Sequence, residues 1–186
     1  MRNFLILIFA LSFVSLHAQC HKKSSNHSAR NVSYTYHADD IVDIALASDD
    51  FSTLVTAVKA ADLVATLKSD GPFTLFAPTN AAFDKLPDGT VASLLEPQNK
   101  SALTGVLTYH VISGEFSATD IVKAIQLGGG KANLKTVQGG KLIAKMSGDN
   151  VILVDEKGGK SVIAKTDIEA SNGIIHVIDT VVLPKG

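Results

Sequence analysis

The run Asn172-Gly173-Ile174-Ile175-His176-Val177-Ile178-Asp179-Thr180-Val181-Val182-Leu183-Pro184 constrains the fold more than any other stretch of this chain. Aliphatic, mostly β-branched residues fill both alternating faces. That pattern predicts a central strand buried on both sides, entered at a Gly and left before a Pro. His176 and Asp179 interrupt the run on opposite faces of a regular pleat. Each must find a partner or cost the fold about 1–3 kcal/mol, so both are expected as interior anchors.

Such a strand requires a core around it. With 186 residues, 46% of them hydrophobic and 19% charged, the chain suits one globular domain and is too apolar to be largely disordered. The formal net charge is −1, and removing residues 1–18 takes Arg2 and no acid, leaving 16 basic against 18 acidic residues. This balance gives no footprint for nucleic acid.

Residues 1–18 read as a secretory signal peptide: Arg2, an apolar run from Phe4 to Val14, then a small residue at Ala18. The run falls short of the roughly 20 apolar residues that span a bilayer. Residues 19–37 are polar and without apolar period, which predicts a flexible linker ahead of a folded domain at 38–186. Cys20 is the single cysteine, so the fold must do without an internal disulfide. It is a candidate lipid-attachment residue, although Gln19 stands where such a signal prefers a small side chain; the alternative is an unmodified thiol in the tail. Membrane contact is therefore expected only through that N-terminal lipid. Asn26, Asn31 and Asn99 each open an Asn-x-Ser acceptor pattern for glycosylation.

Helical spacing dominates the first half. Ile41, Ile44 and Ala45 follow Asp39 and Asp40; Phe51, Leu54, Val55 and Val58 follow Asp50, read as a cap; Leu63, Val64 and Leu67 stop before Gly71-Pro72. A strand is expected at Phe73–Ala77, ended by Pro78, with Thr79 capping the helical turn after it. Further helical faces carry Val91, Leu94 and Leu95, then Leu103, Val106, Leu107 and His110. A strand follows Tyr109, and Ser117 with Asp120 forms a capping box ahead of Ile121, Ala124 and Ile125. From Lys131 the period becomes two. Strands at 132–137, 141–146, 151–155 and 160–165, separated by Gly-rich turns, predict a meander of hairpins that the opening stretch completes, hence an α+β domain.

Catalytic chemistry finds little support. Gly158-Gly159-Lys160-Ser161 resembles the end of a phosphate loop, but Val154 stands where the first Gly is needed and the segment joins two strands rather than opening a helix. No Gly-x-Ser-x-Gly elbow exists. His110 and His176 are the only histidines in the expected domain, and they read as satisfied structural residues. No catalytic residue, metal site or cofactor is expected.

Three blocks carry a family resemblance. Thr74-Leu75-Phe76-Ala77-Pro78-Thr79-Asn80-Ala81-Ala82-Phe83, then Tyr109-His110-Val111, then Asn172 to Asp179 resemble, in order and spacing, the first signature, the Tyr-His element and the second signature of the fasciclin I domain family. The resemblance implies a wedge of about seven strands in a twisted sheet or sandwich with several short helices packed from the N-terminal half. It assigns Thr74, Phe76, Pro78, Asn80, Phe83, Asn172, Gly173, His176 and Asp179 to the structural signatures. It also implies partner contacts at the Tyr-His element and at an Asp-Ile pair, which map onto Tyr109, His110, Asp167 and Ile168. Here that pair sits in Lys165-Thr166-Asp167-Ile168-Glu169, unlike the acidic-Pro-Asp-Ile-Met of integrin-binding relatives, so their receptor recognition does not transfer. The local reading is that Asp167 caps a turn and Ile168 packs inward.

The expected function is a non-catalytic, secreted or surface-attached adhesion or matrix-interaction module with an extracellular or cell-surface protein or polysaccharide as partner. The alternative is an exported small-ligand-binding protein with a pocket near His110 and Asp167.

Overall fold

The computed structural model describes residues 39–185. The expected signal peptide, linker, Cys20, Asn26 and Asn31 lie outside the described residues.

Among the described residues seven α-helices and seven strands alternate unevenly: α1 Ile41–Leu46, α2 Ser52–Ala60, α3 Val64–Leu67, β1 Phe73–Pro78, α4 Asn80–Asp84, α5 Thr90–Leu94, α6 Lys100–Tyr109, β2 Val111–Ser113, α7 Ala118–Leu127, β3 Lys131–Lys135, β4 Lys141–Ser147, β5 Asn150–Val154, β6 Lys160–Ala170 and β7 Gly173–Ile178. Two of the helix starts are closed by reciprocal capping boxes, Asp40 with Asp43 and Ser117 with Asp120. These satisfy amides that have no partner inside a helix. Asp50 does not cap α2, contrary to expectation; it lies exposed in a 3-10 turn. Asn80 supplies that acceptor from a distant element, taking the Thr53 N–H at 3.0 Å while its own amide donates to the Asp49 carbonyl at 2.8 Å.

The strands form one sheet in the order β2-β1-β7-β6-β5-β4-β3. β1 and β7 pair in parallel, Phe73 opposite Gly173 through Pro78 opposite Ile178, so the first and third blocks lie side by side. Gly173 makes that approach feasible, since a Cβ there would sit 2.0 Å from the Phe73 carbonyl oxygen. The sheet nearly closes on itself. Ile112 of β2 bridges Thr136 just past β3, and Val137 N–H donates to the Val111 carbonyl at 2.8 Å.

Two cores follow from this curvature. Inside the sheet lie Phe76, Ile112, Leu134, Leu142, Leu153, Ile163 and Ile178, sealed by Ile121 and Ile125 of α7. Outside it, Leu75, Ala77, Ile175 and Val177 of β1 and β7 pack beneath helices through Ile41, Leu54, Val58, Phe83 and Leu107. β7 is therefore buried at every position, as its doubly apolar sequence requires.

The last hairpin strand differs from expectation. β6 runs to Ala170 rather than stopping at 165, with register shifts against β7 between Ile163 and Lys165 and again before Ile168. A break in the alternation of sequence looked like the strand's end and is instead a bulged stretch within it.

Candidate functional site

The four expected contact residues separate into two environments. Tyr109 ends α6 inside the inner core, fully buried, where its hydroxyl donates to the Lys141 carbonyl at 2.7 Å and accepts from the Glu156 N–H at 3.3 Å. Burial pushes the phenol up to about 12, and the nearby Glu156 and Asp155 carboxylates act in the same direction. His110 follows, 1% exposed, with Nδ1 donating to the Val106 carbonyl at 2.7 Å and Nε2 accepting from the Val182 N–H at 3.3 Å. That pair of bonds fixes the neutral tautomer, and burial lowers its pKa to about 4. Neither residue reaches a partner while the fold is closed. The expected contact at Tyr109 and His110 is corrected accordingly: their polar atoms are spent on joining α6 to the sheet and to the C-terminal segment.

Asp167 and Ile168 lie at the surface. Asp167 is exposed and sits in β6 at φ 55°, a left-handed conformation that non-glycine residues seldom adopt. Two bonds hold it there, the second to a histidine that is itself anchored. Its carboxylate accepts from the Ala118 N–H at 2.8 Å, so it caps α7 from another element rather than a turn of its own. Its N–H donates to His176 Nδ1 at 3.4 Å, and His176 Nε2 donates to the Phe116 carbonyl at 2.8 Å. Ile168 faces Ile175 across the sheet and is half-buried against the outer core, leaving part of its side chain open.

The signature residues organise this display. The His176 ring, buried among apolar groups that lower its pKa, stacks on Phe76 with centroids 5.6 Å apart. Thr74 donates to the Gly114 carbonyl at 2.7 Å and accepts from the Phe116 N–H at 2.9 Å, tying β1 to the loop that leads into α7. Pro78 closes β1 opposite Ile178, and Phe83 is buried in the outer core. Asn172 accepts from the Ile41 N–H at 3.0 Å and donates to the Leu67 carbonyl at 2.7 Å, joining the start of β7 to α1 and α3.

Asp179 departs from its expected interior role. It lies one residue beyond β7, its side chain 39% exposed, accepting from the Val162 N–H at 2.8 Å and pairing with Lys85 at 3.0 Å. Partial burial opposes its charge, but these bonds outweigh that and hold its carboxyl below the usual range. The half-buried Asn99 amide donates to the Ser93 carbonyl at 2.7 Å. An apolar cavity of about 50 Å³ does adjoin His110, lined by residues such as Val42, Leu54, Val58 and Leu107. It is far smaller than the roughly 300–1,000 Å³ of a metabolite pocket.

No sequence signal pointed to the Asp167–His176–Phe116 assembly, because it joins residues from β6, β7 and the loop before α7.

Comparison with known proteins follows the same lines. The chain is 47% identical over 144 residues to the Synechocystis protein sll1483, covering 77% of this chain and 73% of that protein. It is 36% identical over 137 residues to the pig (Sus scrofa) transforming growth factor-beta-induced protein ig-h3, covering 73% of this chain but 18% of that much longer protein. The solved structure of a domain pair from the insect cell adhesion molecule fasciclin I superposes with a TM-score of 0.70 at 20% identity, covering 78% of this chain and 51% of that one. The model of the fasciclin domain matches residues 49–184, and the chain belongs to the fasciclin domain family.

Proposed function

We propose that this domain is an exported, non-catalytic adhesion or matrix-interaction module that holds an extracellular or cell-surface partner through the surface around Asp167 and Ile168. The observation that carries the reading is the way Asp167 is displayed: an exposed carboxylate on a left-handed backbone, held by a buried histidine and by the first amide of α7. A contact group fixed before its partner arrives loses less entropy on binding. The insect protein of similar fold is a cell adhesion molecule, which supports the class of function. The described residues contain no group of three or more His, Cys, Asp or Glu side chains able to hold a metal.

The test is retention of the labelled mature domain on isolated cell-surface material, run beside a thermal-shift screen against small metabolites. Retention above a matched control without a metabolite shift supports the module. A clear metabolite shift with no retention overturns it in favour of a small-ligand carrier.

A further inference from the structure

Charge is divided unevenly along the chain. Residues 39–130 hold five lysines against twelve carboxylates, whereas residues 131–185 hold eight lysines against six, and neither part has an arginine. Five of the eight lysines of the second part gather on one face. On β3 and β4, Lys131 stands directly opposite Lys145, and Lys135 directly opposite Lys141. Alternation places all four on the outside of the sheet, since Ala132, Leu134, Leu142 and Ala144 point into the core. Beyond them Ile143 faces Val154 and Ile152 faces Val162, all half-buried, and Lys160 flanks the far side opposite Val154. The outer core that packs helices onto β1 and β7 includes none of these residues. Among the described residues these five lysines enter no ion pair.

Like charges directly opposite each other weaken a strand pair. Two such pairs stand in succession with no carboxylate between them, the nearby Glu156 carboxylate accepting from the Lys141 backbone N–H at 3.0 Å and the Lys185 backbone N–H at 3.2 Å, so an external anion would relieve the repulsion. We propose that the outer face of β3–β6 binds an acidic polysaccharide, a linear sugar chain bearing carboxylate or sulfate groups, laid across the Lys131/Lys145 and Lys135/Lys141 pairs. This goes beyond the adhesion reading at Asp167 and Ile168 by adding a second contact, for a partner of stated chemistry, on a separate face.

Charge complementarity and spacing select this occupant. Members of a pair stand about 5 Å apart, and the two pairs about 13 Å apart along the strand, a ladder suited to repeating charges. Lysine is a point charge without the fork that fixes one carboxylate or phosphate bidentately, so the site favours many weak contacts along a polymer over one compact anion. The aliphatic strip offers a flat surface to the C–H faces of sugar rings. A membrane fits less well, because Ile143, Ile152, Val154 and Val162 are short and half-buried and no aromatic side chain stands on the face to enter a headgroup layer. Nucleic acid fits less well too, since the face has no ring on which a base could stack.

The experiment measures binding of the mature protein to polygalacturonate, with neutral dextran and anionic phospholipid vesicles alongside, at low and at physiological ionic strength. The key variant is Lys131→Glu/Lys135→Glu. It exchanges two repulsive cross-strand pairs for two attractive ones, so its melting temperature should hold or rise while polygalacturonate binding falls at least tenfold. Lys59→Glu/Lys123→Glu makes the same change in net charge on α2 and α7 and should bind like wild type at matched ionic strength. Salt should weaken the wild-type interaction, and dextran should not bind. The proposal is overturned if wild type ignores polygalacturonate, if both variants weaken it equally, or if vesicles or a second copy of the chain bind and the polymer does not. Retention on cell-surface material that survives Lys131→Glu/Lys135→Glu leaves the reading at Asp167 standing, and the lysine face is decided by polygalacturonate binding alone.

Discussion

The two ends of the single sheet present their outer faces in opposite ways. Over β1 and β7 the outer face is apolar and covered: Leu75, Ala77, Ile175 and Val177 lie under α1, α2, α4 and α6. Over β3 and β4 the strands alternate strictly, Ala132 and Leu134 inward and Lys131, Asn133 and Lys135 outward, and the outer side stays open. The difference teaches where to look for function in a fold of this kind. A strand buried on both sides has no side chain left for a partner, and its polar residues serve the interior. A strand buried on one side keeps half its side chains for contact.

The first way to break this comparison is truncation on each side of it. Phe76→Ala, in the doubly covered half, should lower unfolding free energy by about 3–5 kcal/mol, whereas Ile152→Ala on the open face should cost about 1 kcal/mol or less. Chemical denaturation of both variants checks this, and similar losses would erase the distinction between the halves.

Acid should act next, through the covered half. His110 is held neutral with its pKa lowered to about 4, below the 6.5 of an unfolded histidine. Between those values the unfolded chain binds the extra proton, so stability is complete above pH 6.5 and falls as pH drops toward 4, by up to about 3 kcal/mol. Burial lowers the His176 pKa too and adds to the same slope. A stability series over that window should show the loss, and His110→Gln should make the slope shallower.

His176→Ala should cost about 1–3 kcal/mol, because it strands the Phe116 carbonyl and the Asp167 N–H. An unchanged denaturation midpoint would remove His176 from its anchoring role. The smallest effect should come from the open face. Lys131→Glu/Lys135→Glu should raise stability by a few tenths to about 1 kcal/mol, as attraction replaces repulsion across β3 and β4.

Much of this was legible in the sequence wherever the cause was local. The capping box at Ser117, the cap at Thr79, the shift from helical to alternating period at Lys131 and the doubly apolar β7 each arise from a few neighbouring residues. What escaped was long-range. Asp50 looked like a cap because its type suits one, but Asn80 takes the amide of α2 from the other side of β1. Tyr109 and His110 look like contact residues in a linear motif, and only the closure of the sheet shows that both are buried. Asp167 gives no local sign of its left-handed backbone, which depends on His176 and Ala118 from two other elements.

The division between scaffold and contact surface meets its most direct test in cell-surface retention of two variants. Asp167→Asn keeps an acceptor for the Ala118 N–H and removes only the exposed charge, while Tyr109→Phe removes an interior hydroxyl and alters no exposed group. With both confirmed as folded by circular dichroism, Asp167→Asn should lose most of the retention and Tyr109→Phe should keep it. Retention lost in Tyr109→Phe and preserved in Asp167→Asn would contradict the assignment.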